Sequence, residues 1–192
     1  NVLLGFGLIH PGKGYEYVIQ ALPEILKSHP NTMFIINGKP HPTCQAVCND
    51  YIANLKQMAK DLNLSDKHLV FNQVFLNDEK LSEMLEAADV FVTTYPDKEQ
   101  GVSGSIPYAM SRACIPLTSA FNFVLEVVQD GQNGLIVEPL SPTLIAKKLI
   151  HLFNDRQLMQ QMRTKAFHYT TDKYFSLVAR NYVNSLQQQA PK

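Results

Sequence analysis

Strand-sized apolar runs alternate with amphipathic helical segments along nearly the whole chain, and that alternation limits the folds open to it. Val2 to Ile9 is one continuous apolar run. A run without polar gaps marks a strand covered on both faces, as in a parallel sheet. Tyr15, Val18, Ile19, Leu22, Ile25 and Leu26 then recur at helical spacing, the signature of one buried helix face, which Pro30 and Asn31 close. The pattern repeats. Further strands are predicted at Thr32 to Ile36, His68 to Asn72, Asp89 to Thr94, Cys114 to Thr118 and Leu135 to Val137. A helix is predicted over 43–61, with Val47, Tyr51, Leu55 and Met58 on one face. Asn77 or Asp78 caps the next, which carries Leu81, Met84, Leu85 and Ala88. Others are predicted from about Ser103 to Arg112, from Phe123 to Val128, after the cap and first-turn proline Ser141-Pro142, and near 155–167 and 173–188. Six strands alternating with helices mean βαβ units. The expected fold is α/β, a doubly wound parallel six-stranded sheet with extra C-terminal helices.

Composition narrows the partners. The 192 residues suit a single domain, expected over 1–188, with the helices after about 141 appended and 189–192 a frayed tail. Lys and Arg number 17 against 17 Asp and Glu. With no net charge and no Lys/Arg cluster, nucleic acid is not an expected partner. No apolar run approaches the roughly 18 residues of a membrane span. Three cysteines cannot build a disulfide framework, and a reducing cytoplasm is the simplest setting. His41, Cys44 and Cys48 form H-x2-C-x3-C, which lacks a fourth ligand, so small residues on a helix are the simpler reading and no metal is expected. No signal peptide is visible, and the chain begins without Met directly in an apolar strand. A fragment cut at a domain boundary is expected. Any anion bound by so neutral a chain must be held locally, by a loop or a helix end.

Doubly wound sheets bind ligands outside the carboxyl ends of their strands. That directs attention to loops 8–14, 37–43, 72–77, 95–105 and 118–123. The first begins like a dinucleotide fingerprint at Gly5-x-Gly7, but the third glycine is missing and the second strand ends in Asn37 rather than an acid. Gly7-x4-Gly12-Lys13 approaches a Walker A loop, but Gly14 stands where a magnesium-holding hydroxyl is needed. What survives is Lys13 on a tight glycine turn before a helix, either a phosphate-binding point charge or a solvated surface lysine. In the 95–105 loop, Ser103-Gly104-Ser105-Ile106 opens a helix whose free N–H groups suit a pyrophosphate, although a plain Ser cap is the commoner role. Gly104 removes side-chain bulk there.

Longer stretches resemble a known family. Gly7-x5-Lys13-Gly14 followed by a helix containing Ala21, Leu81 to Asp89 followed by Val90-Phe91-Val92, Ala109-Met110 with Ile115-Pro116, and the closing Phe175-Ser176 all fall in order. Glu126-Val127-Val128-x-Asp130-Gly131-x-Asn133-Gly134-Leu135-Ile136-Val137 is nearly the family's E-V-V-x-DG-x-NG-L-L-V. The chain resembles the C-terminal, nucleotide-sugar-binding domain of a family 4 retaining glycosyltransferase (type B fold, glycosyl transferases group 1), whose two domains are Rossmann-like.

The resemblance implies transfer of a sugar from a nucleotide-diphosphate sugar, of UDP or GDP type, with retention and without a cofactor or metal. Lys13 falls on the lysine that contacts the donor's phosphates, with Gly12 beside it and the N–H groups of Ser103, Gly104, Ser105 and Ile106 as further donors. Leu8 replaces a phosphate-binding arginine. The family's E-x7-E pair falls on Gln100, at the transferred sugar, and Tyr108, at the ribose. Tyr108 offers one hydroxyl, a poorer match for bidentate ribose binding, and Q-x-x-SG with a tyrosine is similar to one branch of the family. The base would lie near Gln73-Val74, with Lys39 reaching the cleft or remaining a plain surface lysine. An N-terminal domain of the same protein would supply the acceptor site, and a cytoplasmic setting with membrane association through that domain follows. Two other readings stand beside this one. One is a non-catalytic nucleotide-sugar-binding domain, degenerate at both glutamate positions. The other is an unrelated α/β phosphate-binding or regulatory module.

Overall fold

A computed structural model describes residues 1–138, 140–171, 173 and 175–189. The tail residues 190–192 lie outside the described residues. The chain runs β1 (Val2–Phe6), α1 (Tyr15–Ser28), β2 (Met33–Asn37), α2 (Gln45–Asp61), β3 (Leu69–Asn72), α3 (Asp78–Ala87), β4 (Val90–Thr93), α4 (Ser105–Met110), β5 (Ile115–Ser119), α5 (Asn122–Val127), β6 (Leu135–Val137), α6 (Pro142–Asn154), α7 (Arg156–Thr171) and α8 (Phe175–Gln189). The strands form one sheet in the order β3-β2-β1-β4-β5-β6, and every pairing is parallel. The doubly wound α/β expectation is met.

The pleat sorts the strands' side chains onto two faces. Leu3, Phe34, Ile36, Val90, Val92, Ile115 and Leu117 join one core with α1, α2 and α6, whereas Leu4 and Phe91 join a second with α3, α4 and α5. Apolar runs without polar gaps are required because both faces are covered. Order reverses between β1 and β4, which diverge toward helices on opposite faces. The crevice at that switch point is where such sheets hold ligands.

Several boundaries differ from expectation for identifiable reasons. β1 stops at Phe6 rather than Ile9 because Gly7 turns to φ 110°, and Ile9 returns only as a bridge to Pro40. The buried stripe of α2 is Cys48, Tyr51, Ile52, Leu55 and Ala59, so Val47 falls beside it and is exposed. Cys48 fills its place as a small apolar side chain. The helix expected over 103–112 shrinks to α4, because Gly104 rather than Ser103 precedes its first residue and Ala113 turns to φ 54°.

The cap at Ser141 is as expected, its Oγ accepting the Leu144 N–H at 3.2 Å. Ser141→Ala should cost about 1 kcal/mol, read as a lower urea midpoint with an unchanged m-value. Pro142, which occupies the first helical position, should keep α6 in place. Among the described residues, no helix is long and apolar enough to cross a membrane.

Candidate functional site

The turn after β1 is built to present Lys13. Pro11–Lys13 forms a 3-10 turn, and Gly14 follows in the left-handed region at φ 63°. A Cβ on Gly14 would sit 2.0 Å from the Thr94 carbonyl oxygen. The buried Thr94 hydroxyl donates to the Gly14 carbonyl at 2.8 Å, tying the turn to the end of β4. From the other side, the Tyr15 N–H donates to the Tyr51 hydroxyl of α2 at 3.0 Å, and that hydroxyl donates to Glu16. The turn is thus clamped between a central strand and a neighbouring helix. A Cβ on Gly12 would lie 2.9 Å from the His10 ring, so a side chain there would have to displace that imidazole. Burial first, then the Lys13 and His41 charges, hold His10 below the usual imidazole range. It therefore stays neutral near pH 7, leaving Lys13 as the cation of the turn.

Lys13 reaches across the switch point. Its Nζ donates to the Tyr95 hydroxyl at 3.0 Å and lies 5.1 Å from that ring's centroid. A Cβ on Gly7 would lie 3.7 Å from the same Nζ. The ammonium therefore lies beside the end of β1, where Gly7 turns at φ 110°. Tyr95 itself is buried, packed edge-to-face on Phe121, with its carbonyl accepting from the Ser119 hydroxyl. Burial acts to raise its phenol, but the Lys13 charge and hydrogen bond, with the Thr93 and Ser103 side chains, outweigh that and bring it below the ordinary tyrosine value. Sequence reasoning missed Tyr95. The available signal was position: it directly follows β4, beside the switch point.

The opening of α4 stands nearby in altered form. Ser103 makes no cap; its buried hydroxyl lies 3.0 Å from the Ser105 hydroxyl. Gly104 is in the ordinary helical region at φ −69°, and a Cβ there would touch nothing. Its role is not backbone strain; that side of it faces open space. The Ile106 side chain is fully buried, so only its main chain can serve a ligand. Gln100 folds back on its own loop, Nε2 donating to the Val102 carbonyl at 3.0 Å. Tyr108 packs against Phe6 and donates its hydroxyl to the Asp78 carbonyl at 3.3 Å. The Lys13 ammonium hydrogen-bonds to Tyr95 and to neither of these two.

Beyond Gly7, a cavity of about 220 Å³ opens past the ends of β1, β2 and β3. Leu8, Lys39, Val74 and Phe75 line it, so the structure brings Lys39 and Val74 into one recess adjoining Lys13. Gly38 makes this approach possible: at φ 151°, any Cβ would collide with the Gly7 carbonyl. Cys44 and Cys48 place their sulfurs 2.8 Å apart, and no group of three or more potential metal ligands occurs among the described residues.

The family model for glycosyl transferases group 1 matches residues 1–169. The chain belongs to that family. Among curated glycosyl transferases, it is 26% identical over 185 residues to an uncharacterized glycosyltransferase of Methanocaldococcus jannaschii, covering 96% of this chain and 44% of that protein. It is 28% identical over 170 residues to the GDP-mannose-dependent alpha-(1-6)-phosphatidylinositol monomannoside mannosyltransferase of Mycolicibacterium smegmatis, covering 85% and 41%. The chain therefore spans under half the length of these relatives. Among solved structures, it superposes on the C-terminal domain of a glycosyl transferase group 1 family protein (LpcC) from Francisella tularensis with a TM-score of 0.76 at 25% identity, covering 90% and 85% of the two chains. Anabaena HepE, solved with UDP and glucose, shares the fold with a TM-score of 0.80 at 18% identity, covering 98% and 48%.

Proposed function

We propose that this chain is the donor-binding half of a retaining glycosyltransferase that moves a sugar from a nucleotide-diphosphate sugar to an acceptor held by another domain. The observation that carries the reading is the Lys13 ammonium, fixed 3.0 Å from Tyr95 between the ends of β1 and β4. Charge develops on the departing diphosphate, and a preorganised cation with nearby N–H donors stabilises it. Lys13 supplies the charge, and the main chain at 103–106 supplies further donors. The recess lined by Lys39 and Val74 takes the nucleoside. No cofactor is required. The neutral composition fits this chemistry, since one diphosphate needs one lysine and a few N–H groups rather than a charged face.

The relatives lend support: one is GDP-mannose-dependent by name, and HepE was solved with UDP. The test is thermal unfolding with UDP, GDP and ADP and their sugars. A nucleotide present at 100 times its Kd should add about 2.7 kcal/mol, a rise of roughly 5–11 °C for a chain this long. No rise with any of them would reject the site.

A second reading, a domain that binds a nucleotide-sugar without turning it over, is favoured by one observation. Gln100 and Tyr108 both spend their polar groups on main-chain carbonyls. Transfer assays on the full two-domain protein separate the readings. Nucleotide binding without transfer or donor hydrolysis would select the second.

A further inference from the structure

The geometry points to Tyr95 as the positioning residue of the site: its phenol holds the Lys13 ammonium over Gly7, and ionisation of that phenol switches the pair off as an anion site. This rests on the nucleotide-diphosphate reading above. A lysine on four methylenes is a mobile charge; here one of its three N–H bonds is spent on a fixed oxygen. Tyr95 is fixed because it is buried, stacks edge-to-face on Phe121 at 5.3 Å, and accepts the Ser119 hydroxyl at its carbonyl. Two ammonium protons remain for a phosphate. Because the phenol oxygen accepts from Lys13, its own proton is free to be given to the same ligand.

The pair carries one positive charge while the phenol is protonated and none once it ionises. The groups facing the phenol all bear on that step. Lys13 favours ionisation from the β1–α1 turn, as do the Thr93 and Ser103 side chains. Burial opposes it, and Tyr15 of α1 feels the same charge. Phe121 contributes only apolar surface. Loss of the phenol proton to solvent leaves a phenolate against the ammonium, and a diphosphate then meets a neutral pair. Affinity for the anion should therefore fall on the alkaline side, and a bound diphosphate should delay the ionisation.

The test is calorimetric titration of GDP and UDP into wild type, Tyr95→Phe and Lys13→Ala from about pH 6.5 to 9.5, a window bracketing the approach to tyrosine ionisation. Phenylalanine keeps the ring and its packing. Tyr95→Phe should bind roughly three- to tenfold more weakly near neutrality, the worth of one hydrogen bond, and should lack the alkaline decline seen in wild type. Should Tyr95→Phe unfold, tyrosine ring-carbon NMR of wild type and Lys13→Ala gives the same answer. One resonance should titrate early, shift upward in Lys13→Ala, and shift upward with nucleotide. If wild type binds nucleotide through Lys13 while Tyr95→Phe matches it at every pH, Tyr95 has no such role and the site reading stands. If wild type binds neither nucleotide, both fall.

Discussion

Gly14→Ala should remove a large part of the stability of this chain, far more than an ordinary glycine substitution. Its backbone sits at φ 63°, where an L side chain costs roughly 1–2 kcal/mol. The larger cost is steric. The added carbon would begin 2.0 Å from the Thr94 carbonyl oxygen, a main-chain atom at the end of a buried central strand. Relief requires the turn and β4 to separate, breaking the Thr94 hydroxyl's bond to the Gly14 carbonyl. A total of about 4 kcal/mol or more places this among the exceptional single substitutions, against a typical stability of roughly 5–15 kcal/mol. The melting point should fall by roughly 8–16 °C. Gly131→Ala is the internal control. Its φ is 74°, but nothing lies within 4 Å of a Cβ there, so only the backbone cost of roughly 1–2 kcal/mol applies. Equal losses in the two variants, measured by urea unfolding, would show that the Thr94 contact does not govern the turn.

That contrast bears on how much the sequence revealed. The alternation of strands and helices was legible because burial on both faces of the sheet leaves apolar runs on its strands, as Ile115 and Leu117 do on β5. The turn at Lys13 was legible as a turn, from its glycines. What was not legible is that Gly14 exists to fit under Thr94, 80 residues away. Tyr95 was hidden for the same reason: its partner Lys13 is 82 residues distant, and no local periodicity encodes such a meeting.

The most recognisable stretch, Glu126 to Val137, proves to be architecture. Asn133 is buried, its side chain accepting the Gln129 N–H and donating to the Val127 carbonyl. Asp130 accepts the Ile136 N–H and pairs with Lys148. Gly134 leaves no room for a Cβ beside Pro116 and Val128. These residues shape the corner between α5 and β6. Gln100 and Tyr108, which the resemblance assigns to the sugar and ribose, by contrast take main-chain partners.

Lys13→Ala should weaken nucleotide-diphosphate binding by roughly 10- to 100-fold. The range follows from a charge-assisted hydrogen bond, worth about 1.5–3 kcal/mol, in a site with little else to compensate. Leu8, where the resemblance implies a second cation, carries no charge. His10 is held below the usual imidazole range chiefly by burial, which Lys13→Ala leaves in place, so it offers no substitute charge near pH 7. Lys39 lines the adjoining recess rather than the Lys13–Tyr95 crevice, and Lys39→Ala should cost less. Lys13→Arg should not rescue fully: a planar, forked guanidinium cannot reproduce a compact ammonium seated over Tyr95 and against Gly7. On the proposed reading, the same substitution to alanine in the full-length transferase should reduce kcat by about 10²–10³, the usual cost of removing one preorganised group that stabilises developing charge. The balance between the two losses is diagnostic. Weaker binding with an equal fall in kcat/KM and an unchanged kcat would make Lys13 a uniform binder, holding the ground and transition states equally. A fall in kcat beyond the loss of affinity would place it on the leaving diphosphate in the transition state.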